Sequence, residues 1–162
     1  FVSGRAQSKF LRKRPNAAHR LRHERVQSSG SRISSMHLAQ ERYGDALVLH
    51  LTGRVDSSTT DGLKSSLDLH VGNCRAGGDN LILDLSKVDY ISSVGLRVLM
   101  LAARQSREQG GTIVVAALQP VVREIFEISR FNLVLQCFAS VREALSRVSP
   151  AGLAVYDSAR GV

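Results

Sequence analysis

The sequence has no apolar run near the roughly 18 to 20 consecutive residues that a membrane-crossing helix requires, and its first residues lack the apolar segment of a secretory signal. A soluble, cytoplasmic protein with no membrane span is the expectation. Cysteine is scarce: Cys74 sits in a glycine-rich stretch and Cys137 in an apolar one, in no CxxC or Cys/His arrangement. That spacing excludes the usual structural zinc sites and gives no reason to expect a disulfide.

The short motifs of catalysis are missing as well. The stretch 72–78 is glycine-rich, yet it has neither the GxxxxGK[ST] spacing of a phosphate-binding loop nor the GxGxxG of a dinucleotide fold, and it reads as a flexible connection. The histidines, His19, His23, His37, His50 and His70, form no HExxH pair, and a lone strand histidine such as His50 is ordinarily surface-facing or satisfied in the core. No serine lies in a GxSxG elbow. With no nucleophile, metal site or cofactor cradle, the chain is not expected to be an enzyme, and no cofactor or metal is expected.

Acidic residues are almost absent before Met36. Arg5, Lys9, Arg12, Lys13, Arg14, Arg20, Arg22, Arg25 and Arg32 face the single acid Glu24, so this stretch carries the whole formal charge of +8. Of 22 basic and 14 acidic residues, the rest of the chain keeps 13 of each. Direct DNA binding is therefore not expected of the folded part, and the basicity describes an appendage. Residues 1–35 have no sustained apolar period and read as a disordered basic extension, either a solvated arm or sequence upstream of a start at Met36. Residues 36–149 read as one domain, for which an apolar content of 43% over the chain suffices, and 150–162 as a flexible tail.

After Met36 the pattern turns regular. A weak strand is expected at 37–42 and a clear one at 46–52, where Leu47, Leu49 and Leu51 alternate with Val48, His50 and Thr52. The apolar runs 81–85 and 112–117 suit central strands covered on both faces, and a last short strand is expected at 133–136. Helical periods run through Leu63, Leu67 and Val71, through Leu96, Leu99 and Ala103, and through Val122, Ile125 and Phe126. Pro120 suits a first helical turn, and Ser140 with Glu143 forms a capping box for a fourth helix. The order predicts an α/β fold: a mixed, mainly parallel sheet of roughly four to five strands with packed helices.

The stretch from Leu83 to Leu99 carries the functional signal. A buried strand is expected to end near Leu85, a loop to cross to Ile91, and an amphipathic helix to begin at Ser92 or Ser93. Hydroxyls there can cap the helix, and a helix start can equally accommodate a phosphate on one of them. Asp56, with Ser57 and Ser58 beside it, is either a second helix cap or a partner contact, and Arg97 is either a contact or a solvated cation.

Ser92-Ser93-Val94-Gly95-Leu96-Arg97-Val98-Leu99, preceded by Asp84-Leu85-Ser86, resembles the phosphorylation segment of the anti-sigma factor antagonists, the STAS-domain family. Leu51-Thr52-Gly53-Arg54-Val55-Asp56 is similar to that family's strand exit, and the likeness runs over nearly all of 46–145. The resemblance implies a STAS-type fold and a partner switch. The unphosphorylated domain would bind an anti-sigma factor that is also a serine kinase, and so release a sigma factor. A metal-dependent serine phosphatase would reverse the modification. It implies Ser93 as the phosphorylated residue, with Ser92 as second choice, and Asp56, Ser57, Ser92, Ser93, Val94, Gly95 and Arg97 as the partner-binding set. Two other readings stand beside it: an accessory subunit of a lipid-transport ABC complex, and a nucleic-acid-associated protein acting through the basic arm. Because the charge is confined to residues 1–35, their removal is expected to leave the thermal unfolding midpoint of the remaining domain unchanged, as followed by circular dichroism.

Overall fold

The computed structural model describes residues 35–162, so the expected extension 1–35, Ser35 apart, lies outside the described residues. The elements in chain order are β1 (His37–Tyr43), β2 (Ala46–Val55), α1 (Thr60–Val71), β3 (Asn80–Ile91), α2 (Ser93–Glu108), β4 (Thr112–Ala116) and α3 (Pro120–Ile128). A 3-10 turn (Phe131–Leu133), β5 (Cys137–Phe138), α4 (Val141–Val148) and α5 (Pro150–Arg160) complete them. The strands form one sheet in the order β1-β2-β3-β4-β5, with β1 antiparallel to β2 and every other pair parallel. This is the mixed, mainly parallel α/β sheet that the apolar runs predicted.

Both faces of the central strands β2, β3 and β4 are covered, whereas most of the edge strand β1 is exposed, and the period-2 alternation of the strands assigns side chains to the two faces. One face presents Leu47, Leu49, Leu51, Leu81, Leu83, Ile113 and Val115 to α1, α2 and α3, which bury Leu63, Leu67, Leu96, Leu99, Val122 and Phe126 against it. The other presents Ala46, Val48, Ile82, Val114 and Ala116 to α4 and α5. Ser140 and Glu143 cap α4 as their spacing predicted. The Ser140 hydroxyl accepts the Glu143 N–H at 3.1 Å, while the Glu143 carboxylate reaches back to the Ala139 N–H at 2.8 Å. Pro120 opens α3.

Four segments differ from the sequence expectation. Of residues 150–162, read as a flexible tail, Pro150–Arg160 instead form α5. The Ser149 hydroxyl caps this helix by accepting the Gly152 N–H at 2.9 Å, and it donates to the Asp45 carboxylate in the β1–β2 turn. Tyr156 meets Tyr43 edge to face with ring centroids 5.1 Å apart, and Arg142 of α4 grips Asp157 through two bonds of 3.0 and 2.9 Å. The strand expected at 133–136 is displaced to Cys137–Phe138, because Phe131 packs on Phe126 and holds the preceding residues in the 3-10 turn, leaving Leu133 exposed. The glycine-rich 72–78 is a closed turn rather than a loose connection: the Asn73 carbonyl accepts the N–H groups of Arg75 and Asp79, and Ala76 N–H donates to the Gln109 carbonyl.

The fourth difference bears on function. Strand β3 does not end near Leu85 but runs on to Ile91, paired with β2 throughout. Two bulges on β3, where Asp84 to Lys87 opposes His50 to Thr52 and Val88 to Tyr90 opposes Gly53 to Arg54, each insert one extra residue. The residues facing α1 and α2 therefore step from Leu85 to Val88 to Ile91 in threes, all buried, and the segment loses the alternation of an ordinary strand.

Gly152 shows how closely α5 docks. A Cβ there would lie 2.6 Å from the Tyr43 carbonyl oxygen and 2.5 Å from the Ser149 hydroxyl. Gly152→Ala is expected to destabilise the domain by about 1–3 kcal/mol through overpacking, against the helix preference for alanine of about 1 kcal/mol, in urea unfolding.

Candidate functional site

The carboxyl ends of β2 and β3 bring the candidate residues to one end of the sheet. Val55 pairs with Ile91 in the last register position, and the Val55 carbonyl then accepts the Ser92 N–H at 2.8 Å. Asp56 and Ser92 thus leave the sheet side by side, one into the loop before α1 and the other into the first turn of α2. Gly53 makes the strand exit possible with φ of +103°, a backbone region that side-chain-bearing residues rarely adopt.

The two serines do different things. Ser92 is the N-cap of α2: its backbone is extended, its hydroxyl accepts the Gly95 N–H at 3.2 Å, and its carbonyl accepts the Leu96 N–H at 2.9 Å. Ser93 is the first helical residue. It is exposed, and among the described residues its hydroxyl has no hydrogen-bond partner. The first N–H groups of a helix lack intrahelical acceptors and carry the positive end of its dipole, so negative charge attached at Ser93 meets a favourable field. Val94, the next residue, is 47% exposed, and Arg97 lies exposed one turn further along. Gly95 is buried; a Cβ there would stand 2.6 Å from Val55 Cγ1 and 3.0 Å from Ile91 Cγ1, so its absence lets α2 start directly on the strand ends.

On the neighbouring loop the Asp56 carboxylate closes a turn, accepting the Ser58 N–H at 2.9 Å and the Ser58 hydroxyl at 2.6 Å, while its carbonyl accepts the N–H groups of Thr59 and Thr60. Asp56 therefore organises the approach to α1 from outside the helix, and the N-cap position belongs to Thr59. Ser57 is exposed in that turn. Sequence reasoning passed over three residues of this framework. Thr59 donates its hydroxyl to the Arg54 carbonyl at 2.9 Å, and the Arg54 guanidinium stands 4.1 Å over the centre of the Tyr90 ring and 3.5 Å from the Asp56 carboxylate. Arg54 and Tyr90 meet because the bulged register pairs them, which no single-strand pattern reveals.

Comparison with known proteins bears on family and fold. The STAS domain model matches residues 37–144. A candidate anti-sigma factor antagonist of Bordetella bronchiseptica, BtrV, is 40% identical over 109 residues, covering 67% of this chain and 90% of its own length. The crystal structure of an anti-sigma factor antagonist from Mycobacterium paratuberculosis superposes with a TM-score of 0.60 at 23% identity, over 70% of this chain and 94% of its own. The Bacillus cell-fate determinant SpoIIAA in its phosphorylated form superposes with a TM-score of 0.52 at 17% identity, over 70% of this chain and 99% of its own. The last two likenesses are of fold.

The division between the serines has a measurable consequence. Ser92→Ala is expected to cost about 0.5–2 kcal/mol in urea unfolding, as a lost cap does, and Ser93→Ala no more than about 0.5 kcal/mol.

Proposed function

The chain belongs to the STAS domain family, among the anti-sigma factor antagonists, and from that premise we propose that it is a partner switch thrown by phosphorylation of Ser93. One observation carries the choice of residue: the Ser93 hydroxyl stands exposed and unbonded among the described residues at the first position of α2, while Ser92 already serves as the cap. The unphosphorylated end of the sheet, with Asp56, Ser57, Ser92, Ser93, Val94, Gly95 and Arg97, is the surface that receives an anti-sigma factor with serine kinase activity. Binding sequesters that factor and frees a sigma factor for transcription in the cytoplasm. The domain is a binding module rather than a catalyst.

In the reverse direction the Ser93 oxygen takes the terminal phosphoryl group of ATP, with ADP leaving, and a serine phosphatase returns the hydroxyl by hydrolysis. A phosphate brings about −1.5 to −2 charge at neutral pH to a surface fitted to a neutral hydroxyl. A penalty of only about 1.4 kcal/mol weakens binding tenfold, so no rearrangement of the fold is required. Arg97 follows Ser93 at the four-residue spacing where opposite charges on a helix meet, so the phosphate draws this cation away from a partner as well.

The test is phosphosite mapping after incubation with the cognate kinase and ATP, together with titration of the kinase by wild type and variants. Ser93→Ala is expected to stay unmodified and keep binding, and Ser93→Asp or Ser93→Glu to bind at least several-fold more weakly. Phosphate appearing on Ser92 of Ser93→Ala at the wild-type rate moves the site by one residue. A kinase that binds the domain and modifies neither serine overturns the switch and leaves the accessory-subunit reading.

A further inference from the structure

At the carboxyl ends of β2 and β3, Val55 and Ile91 belong to the apolar layer beneath α1 and α2. By the alternation of a strand, their neighbours Arg54 and Tyr90 turn to the opposite side of the sheet. Tyr90 is half-buried there, and Arg54 has 48% of its side chain open to solvent.

Other arginines that are held in place spend their donors inside the domain. Arg42 grips Asp79 through two bonds of 2.7 and 2.9 Å, and Arg142 grips Asp157 in the same forked way. Arg160 stacks over Tyr156, but it does so within α5 and beside the Tyr43 hydroxyl. Arg54 is held differently. The Tyr90 ring supports its guanidinium at 4.1 Å, and Asp56 Oδ2 faces its Nε at 3.5 Å, near enough to attract but making no hydrogen bond. The other Asp56 oxygen accepts the Ser58 N–H and the Ser58 hydroxyl. Among the described residues the Arg54 guanidinium donates no hydrogen bond, so the outer edge of the fork, with its two terminal nitrogens, is fixed in place and unspent.

A guanidinium is a planar fork that meets a carboxylate through two parallel bonds, whereas an ammonium offers only a point charge. Holding the fork on a ring beforehand lowers the ordering cost of binding. We propose that Arg54, stacked on Tyr90, is a specificity contact of the partner interface and receives a carboxylate side chain of the anti-sigma factor kinase. The proposal rests on the partner-switch reading above, and it extends that surface to the side of the sheet away from α2. Asp56 acquires a second use, since besides closing its turn it orients the Arg54 Nε. A partner that carries a cation at this point is rejected by like charge, so the contact sorts kinases as well as binding one.

The experiment titrates the cognate kinase with the unphosphorylated full chain at low and high salt, comparing wild type with Arg54→Met, Arg54→Glu, Tyr90→Phe, Tyr90→Ala and Ser93→Glu. Arg54→Met keeps an apolar stem and loses the charge, and is expected to weaken binding about tenfold; Arg54→Glu, which sets like charges together, weakens it about a hundredfold. The gap between wild type and Arg54→Met narrows as salt screens the pair. Tyr90→Phe keeps the ring and the affinity. Tyr90→Ala weakens binding severalfold, yet adds nothing in an Arg54→Met background, because the ring acts through the guanidinium. A merely structural Arg54 would lower the unfolding midpoint and leave the affinity of the folded protein as it was. Binding by Arg54→Met within about twofold of wild type, with Ser93→Glu still weakened, overturns the contact and leaves the switch standing. A kinase that phosphorylates neither serine and binds wild type no better than Ser93→Glu overturns the switch and the contact together. Arg54→Met decides the matter even where Arg54→Glu fails to fold.

Discussion

The parallel pairing of β2 with β3 is the constraint on which the rest of the domain depends. It joins Ala46 to Asn80 at one end and Val55 to Ile91 at the other, and β3 needs two more residues than β2 to cover that distance. The bulges absorb them without turning a core side chain to water: Leu85, Val88 and Ile91 stay buried, Val88 opposite Gly53 and Ile91 opposite Val55. Because both strands finish level, a single bond from Ser92 to the Val55 carbonyl can fix the start of α2, and Gly95 lets the helix settle on the strand ends. Register thus places the loop of Asp56 beside the helix start of Ser93, although they stand 37 positions apart in the chain.

Two adjacent serines at one helix start divide demands that conflict. A cap must give its oxygen to the backbone, and an acceptor of phosphate must keep its oxygen free. Ser92 meets the first demand, and in the proposed reading its cap stays in place when Ser93 is modified. A residue serving both purposes would couple every modification to the stability of α2, where a cap contributes about 1 kcal/mol.

Much of this was legible in the sequence, and the failures have physical causes. The nearly continuous apolar runs at 81–85 and 112–117 announced central strands, because a strand buried on both faces needs apolar residues at most positions. That a helix starts at one of the two serines was legible from local spacing, since capping acts within one turn, whereas which of them caps it was left open and is Ser92. The extension of β3 to Ile91 was not, for each bulge breaks the period that identifies a strand. Nor was α5 recognised: Ser149 and Pro150 carry the signal of a helix start, but the helix owes its place to Tyr43 and Asp45, more than 100 residues earlier. Arg54 over Tyr90 was hidden for the same reason, as it arises from register between strands.

A fold held this way suits control by charge. The apolar layers lie between the sheet and its helices, while Ser93 stands outside them, so a phosphate there removes no buried contact. A domain of this kind is stable by about 5–15 kcal/mol in total, and a switch that worked by unfolding would have to overcome most of it. In the reading proposed for Ser93, the switch instead opposes only the binding free energy of a partner, where a few kcal/mol change occupancy by orders of magnitude. The helix dipole favours the phosphate, and the same charge repels or misfits a partner shaped for a hydroxyl. In that reading one modification acts with opposite sign on fold and interface, and a small domain would change partners without changing shape.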